Sequence, residues 1–185
     1  MKERSSHLLT SSPPHAGREA LVQAIEVLPE EKPAVRIDCG ASAAFIDWAG
    51  RAWDADAGTQ PGTTLLTSDK PVDQAAPTLY DQGLYRTARA GKTITVATPM
   101  PPGRYVVHLK FAEMWLAEAG KRPMHIDING RRYWTSWDPA AAAGRVGMAM
   151  DIRADDITPD ASGKITVVVV AAGAQDAILQ GLEIE

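Results

Sequence analysis

Glu113, Trp115 and Leu116 end the stretch Phe111-Ala-Glu-Met-Trp-Leu116, and their types and spacing point to chemistry. Before them Tyr105, Val107, Leu109 and Phe111 alternate with Val106, His108 and Lys110, the pattern of a half-buried strand. Trp115 and Leu116 interrupt that alternation, which puts them at a strand end or on the loop behind it. An indole at the mouth of a rigid β scaffold can stack on the apolar face of a ring. A carboxylate nearby can accept hydrogen bonds from polar rims. Against this stands a plainer reading, in which Trp115 caps the end of the core and Glu113 accepts bonds from loop amides.

Other carboxylates allow other chemistry. Glu113 with Asp127, or Asp54 with Asp56, could form the acid and base of a glycosidase, which needs two carboxyls about 5–5.5 Å or 6.5–9.5 Å apart. Asp54 and Asp56 lie on a turn-rich stretch, and the expectation is that no catalysis occurs and that the chain is not an enzyme. His108, His125, Asp127 and Asp38 lack the tight spacing of a metal site, so no catalytic metal and no cofactor are expected. Structural calcium on the Asp-rich loops stays an open alternative.

The elements that must position these residues are short strands. Val35, Ile37 and Cys39 share one face; Ile94 and Val96 alternate with Thr93 and Thr95; Met124, Ile126 and Ile128 alternate with His125, Asp127 and Asn129. Ile165-Thr-Val-Val-Val-Val170 is nearly continuous and is expected as a central strand buried on both faces. Ile178, Leu182 and Ile184 close the chain. Asn129-Gly130 between alternating apolar residues predicts a type I′ hairpin turn, because both central positions need positive φ. Pro99 to Gly103 predicts a turn, and Pro139–Arg145, with four alanines and a Gly144 stop, predicts a short helix. Residues 54–83 show little periodicity and are expected as a long loop. The fold class that follows is all-β, an antiparallel β-sandwich, with Tyr105, Val107, Leu109, Phe111, Met124, Ile126, Ile128, Val167 and Val169 in its core.

Six segments in order resemble the malectin family of β-sandwich lectins and the related bacterial carbohydrate-binding modules. They are Ile37-Asp-Cys-Gly40, the acidic loop Asp47-Trp-Ala-Gly-Arg-Ala-Trp53 with Asp54 and Asp56, and Leu84-Tyr-Arg-Thr-Ala-Arg89. The others are Leu109-Lys-Phe-Ala-Glu-Met-Trp115, Asp127-Ile-Asn-Gly130 and Ala174-Gln-Asp176. The resemblance covers about residues 35–185. It implies a jelly-roll-like, malectin-like sandwich that binds a neutral, glucose-containing oligo- or polysaccharide without turning it over. It further implies Tyr85, Arg89, Glu113, Trp115, Leu116 and Asp176 as ligand-binding residues. In the family the residues matching Tyr85 and Asp176 contact the glycan; where the family has a second adjacent loop aromatic, this chain has Leu116. The competing function is a protein-interaction or structural β-sandwich appended to a glycan-active enzyme.

Composition bounds the rest. The chain has 185 residues and 45% hydrophobic content, which suits one domain with a short extension. Residues 1–33 are expected as a disordered or linker extension, with 19–28 ambiguous between helix and strand, and 34–185 as the sandwich. The net charge is −4 with pI near 5.6, and the absence of a basic cluster argues against nucleic acid. No run of 18 apolar residues exists, so no membrane partner is expected, and no signal peptide is evident in this chain. A single cysteine, Cys39, allows no intramolecular disulfide and is expected as a small buried hydrophobe. The chain is expected to act outside the cytoplasm, extracellular or periplasmic, as part of a longer protein such as a multi-domain glycoside hydrolase.

Overall fold

Period-two patterning becomes a layered β fold in a computed structural model that describes residues 34–56, 60–73 and 79–185, the last of these with backbone alone for 79–81. The expectations for residues 1–33 lie outside the described residues. In chain order the strands are β1 (Val35–Asp38), β2 (Phe45–Ile46), β3 (Ala52–Ala55), β4 (Thr63–Thr67), β5 (Thr87–Gly91), β6 (Thr93–Pro99) and β7 (Tyr105–Ala112). They continue as β8 (Met124–Ile128), β9 (Arg131–Trp137), β10 (Ala149–Ile157), β11 (Lys164–Ala171), β12 (Ala177–Leu179) and β13 (Gly181–Ile184). A 3₁₀ segment, Leu79–Tyr85, precedes β5, and helix α1 (Pro139–Ala143) follows β9.

Three sheets form: β10-β7-β13-β1-β3-β2, β6-β11-β8-β9 and β12-β5-β4. All pairings are antiparallel except β1 with β3. One apolar core is shared by the three sheets, and all nine expected core residues are buried in it. The antiparallel β-sandwich is therefore the fold. A second, smaller cluster of Trp53, Val72, Leu84, Tyr85, Ala112 and Met114 lies under the long connections.

Local chemistry explains several elements. Asn129 and Gly130 have φ of 49° and 76°, so the β8–β9 hairpin has the positive-φ turn its sequence predicts. In α1, Asp138 caps the first turn by accepting from the Ala141 amide at 2.8 Å, Pro139 occupies the first turn, and Gly144 ends the helix in the left-handed region. Gly40 has φ of 92°, and a Cβ there would meet the Ala88 backbone at 2.7 Å, so β1 can turn against β5 only with glycine.

Two expectations are corrected. Residues 54–83 are not one loop, because β4 and the 3₁₀ segment lie within it. β4 is Thr-Thr-Leu-Leu-Thr at a sheet edge; its two leucines are adjacent, so no alternation announces it. β11 is an interior strand of its sheet but is not buried on both faces. Ile165, Val167 and Val169 are in the core, while Thr166, Val168 and Val170 are half-buried on the outer face.

Candidate functional site

The loop after β7 is organised by Glu113. Its side chain is 1% exposed. Oε1 accepts from the backbone amides of Trp115 and Leu116, both at 2.9 Å, so the carboxylate curls the loop around itself. Oε2 receives the Arg122 Nε at 2.6 Å, and this buried pair is charge-assisted. Arg122 then donates through Nη1 to the carbonyl of Asp176. Its own amide donates at 2.7 Å to Oδ2 of Asp138, the carboxylate that caps α1. Glu113, Arg122 and the Asp176 backbone thus clamp the 113–123 loop beside the loop that precedes β12. Arg122 carries this arrangement, and sequence reasoning passed over it. A lone Arg between Lys121 and Pro123 in a loop carries no local sign of a partner nine residues back.

The six residues named from the resemblance divide into two groups. Glu113 holds Trp115 and Leu116 by their amides, and Arg122 joins this loop to the backbone carbonyl of Asp176. Trp115 is half-buried, packs against both apolar clusters and donates from Nε1 to the Thr67 carbonyl at 3.1 Å. Its ring is shared between core and surface, not a free platform. Leu116 is half-buried on the rim of a pocket of about 260 Å³. The Asp176 carboxylate is half-exposed and pairs with Lys92 at 3.0 Å.

Tyr85 and Arg89 stand apart from this group. Tyr85 is 4% exposed, its ring lies in the smaller apolar cluster, and its hydroxyl donates to Asp151 at 2.6 Å. The ring has no face open to a ligand, because it is buried in the cluster with Trp53, Ala112 and Met114 against the six-stranded sheet. There Lys110 also reaches Asp151, at 2.6 Å. Arg89 is equally buried; it pairs with Asp56 at 2.5 Å and donates to the Thr63 hydroxyl at 3.0 Å. It forms one wall of a separate pocket of about 340 Å³ that also includes Ser42, Thr64 and Leu65. Next to it, Asp38 accepts from the Thr87 hydroxyl at 2.9 Å. Burial raises its pKa to about 7; the Thr87 bond opposes the rise and the Asp56 charge adds to it. Burial also pushes the Cys39 thiol well above its ordinary range, so the thiol is inert.

Most of the groups weighed for acid–base or metal chemistry are engaged elsewhere, and Asp54 is exposed on β3. Asp127 is tied to Arg132, Asp56 to Arg89 and Glu113 to Arg122. His108 meets Glu185 at 3.3 Å, and His125 accepts from the Ser136 amide at 3.1 Å. Among the described residues no three His, Cys, Asp or Glu side chains gather to hold a metal ion, and no helix is long and apolar enough to cross a membrane.

A layered antiparallel sandwich with a clamped loop at one end defines the class: a β-sandwich domain whose candidate site lies on its connections. The model of the malectin domain matches residues 34–182, and the chain belongs to that family. Among solved structures, the ANXUR1 extracellular domain from Arabidopsis thaliana superposes with a TM-score of 0.70 at 22% identity, covering 81% of this chain and 47% of that one. The ANX2 ectodomain from Arabidopsis thaliana gives 0.68 at 21%, covering 81% and 48%. A Bacteroides uniformis beta-glucuronidase gives 0.68 at 18%, covering 83% of this chain and 18% of the enzyme. At these identities the likeness is one of fold. The chain spans about half the length of the two ectodomains and under a fifth of the glucuronidase. No curated protein matches it.

Proposed function

We propose that this chain is a non-catalytic carbohydrate-binding module that recognises an oligo- or polysaccharide at the end of the sandwich where the 113–123 loop meets Asp176. The supporting observation is the buried Glu113–Arg122 pair bridged to the Asp176 carbonyl. It holds Trp115, Leu116 and Asp176 in fixed relation before any ligand arrives, and preorganisation of this kind lowers the cost of binding. Trp115 offers the exposed part of its ring, Leu116 an apolar rim, and Asp176 a carboxylate able to accept two hydroxyls. Family membership supports the same reading. The absence of turnover is supported by the arginine partner on each of Glu113, Asp127 and Asp56, which engages those carboxyls in ion pairs within the protein. The glucose-containing ligand implied by the resemblance sets the first panel to test.

A place outside the cytoplasm, within a longer protein, accords with structural neighbours that are extracellular domains or one part of a glycosidase. A second reading has its own observation. Ile46 and Trp48, beside the β2–β3 hairpin, are 59% and 54% exposed, as is Leu65 at 56%. Exposed apolar side chains of this size suit a protein partner.

A glycan array followed by calorimetric titration decides between them. The module reading expects saturable binding by some glucan and no release of reducing ends on long incubation. Binding that is absent across the array, together with a partner whose capture is lost on Trp48→Ser, favours the interaction domain.

A further inference from the structure

We infer that the pocket beside Leu116 takes the carboxylate of an acidic sugar, so the preferred ligand carries a uronic acid next to the ring that rests on the loop. The inference depends on the carbohydrate-binding reading and replaces the neutral ligand implied by the resemblance with an anionic one.

The pocket encloses about 260 Å³ between three stretches, 70–73, 113–116 and 145–147. Small-molecule sites typically run from roughly 300 to 1,000 Å³, so this volume suits one sugar ring rather than an oligosaccharide. Its walls are built in advance. The Gly147 amide donates to the Glu113 carbonyl at 2.8 Å, the Asp73 amide to the Gly147 carbonyl at 2.8 Å, and the Ala149 amide to the Asp73 carbonyl at 2.9 Å. Lys70 Nζ donates to the Met114 carbonyl at 2.7 Å and so ties the first stretch to the second. The three stretches are thus joined by hydrogen bonds, which gives a defined pocket and not a gap between loose loops.

The charges in this pocket do not cancel. Four residues with ionic side chains are among those that line it: Lys70, Asp73, Glu113 and Arg145. Glu113 is neutralised from behind by Arg122. Asp73 is neutralised by Arg145 at 2.6 Å. Lys70 is left over. Its ammonium has three donors, one of which is spent on a neutral carbonyl, and among the described residues no carboxylate lies within ion-pair distance of it. Arg145 adds a planar fork with donors beyond those Asp73 takes. Lys70 is exposed, and its bond of 2.7 Å to the Met114 carbonyl holds its side chain beside the pocket. A carboxylate on a sugar ring satisfies both cations, while Leu116 meets the apolar face of the same or the adjoining ring. Neutral sugars leave the ammonium with water alone.

The test pairs each neutral glucan with its acidic twin. Cello-, laminari- and malto-oligosaccharides are titrated calorimetrically at low salt, and so are the same chains with C6 oxidised to the carboxylate. The expected result is that a carboxylated chain binds about two- to fivefold tighter than its neutral parent, the scale of one partly exposed charge pair. The advantage should shrink at 0.5 M NaCl, where screening is strong. Lys70→Gln and, separately, Arg145→Gln should each reduce the advantage, read within each variant as the ratio of carboxylated to neutral affinity. Tighter or equal binding of the neutral chains overturns the inference and leaves the module reading standing. A carboxylate preference that persists in both variants overturns it as well, by placing the anion elsewhere. Failure of every chain, neutral and acidic, removes the module reading and this inference with it.

Discussion

At the scale of single residues, Arg122 matters most. It is 4% exposed and bonds to Glu113, Asp176 and, through its amide, Asp138. Removing one partner of a buried ion pair leaves the other charge stranded, at a cost of roughly 3–5 kcal/mol. Arg122→Ala should therefore lower stability by about that much, measured by denaturant unfolding. Arg122→Lys should recover only part of the loss, since an ammonium cannot span the carboxylate and the carbonyl together. Trp115 behaves as a shared residue. Because its ring packs on both clusters, Trp115→Ala should lower stability by roughly 3 kcal/mol or less, the low end for a buried aromatic, and reduce glycan affinity about tenfold. Unfolding and titration on the same variant separate the two effects, and unchanged affinity in the folded protein would remove Trp115 from the site. Cys39 is 1% exposed with its thiol pKa raised by burial. It should resist a thiol reagent in native buffer and react at once in denaturant.

Secondary elements carry the next prediction, where β1 turns onto β5. Asp38 ends β1, is bonded by Thr87 of β5, and faces Asp56 and, through Asp56, Arg89. Its folded pKa is about 7, above its unfolded value of 3.8. The folded state therefore holds this proton more tightly, and stability falls as pH rises between those values, becoming flat above about 7. Each unit is worth about 1.4 kcal/mol, so the penalty at high pH is of the order of a few kcal/mol. Asp38→Asn keeps an acceptor for the Thr87 hydroxyl and removes the charge. Thermal unfolding should show a variant more stable than the parent at pH 8, with the difference vanishing near pH 4. A difference that does not change with pH would mean that Asp38 is ionised throughout.

For the whole molecule, the main core joins three sheets, and the loops of the proposed site connect their strands. Binding at the clamped loop should therefore add stability without rearranging the sandwich. A ligand at one hundred times its dissociation constant raises unfolding free energy by about 2.7 kcal/mol. The best glycan from an array should accordingly shift the melting temperature upward while the far-ultraviolet spectrum stays constant. A ligand that binds yet leaves the melting temperature unmoved would have to bind the unfolded chain equally well.

What the sequence determined by itself is what repeats with period. The apolar face of β7, β8 and β11, the Asn129-Gly130 turn and the Pro139 helix all follow from local rules, because each needs only its neighbours along the chain. The order of six motifs was likewise enough for the family. What only the tertiary structure decided is which polar groups meet. Tyr85 and Trp115 are both aromatics beside strands and both touch the smaller cluster, yet one is sealed with its hydroxyl on Asp151 and the other is half-buried with its indole on the Thr67 carbonyl. Gln180 sits inside an apolar run and bonds both backbone groups of Ala112, a contact sixty-eight residues away. Lys70, Arg122 and Arg145 come to the site from separate loops with no periodicity. Burial, pairing and leftover charge depend on contacts between distant segments, and those exist only once the chain has folded.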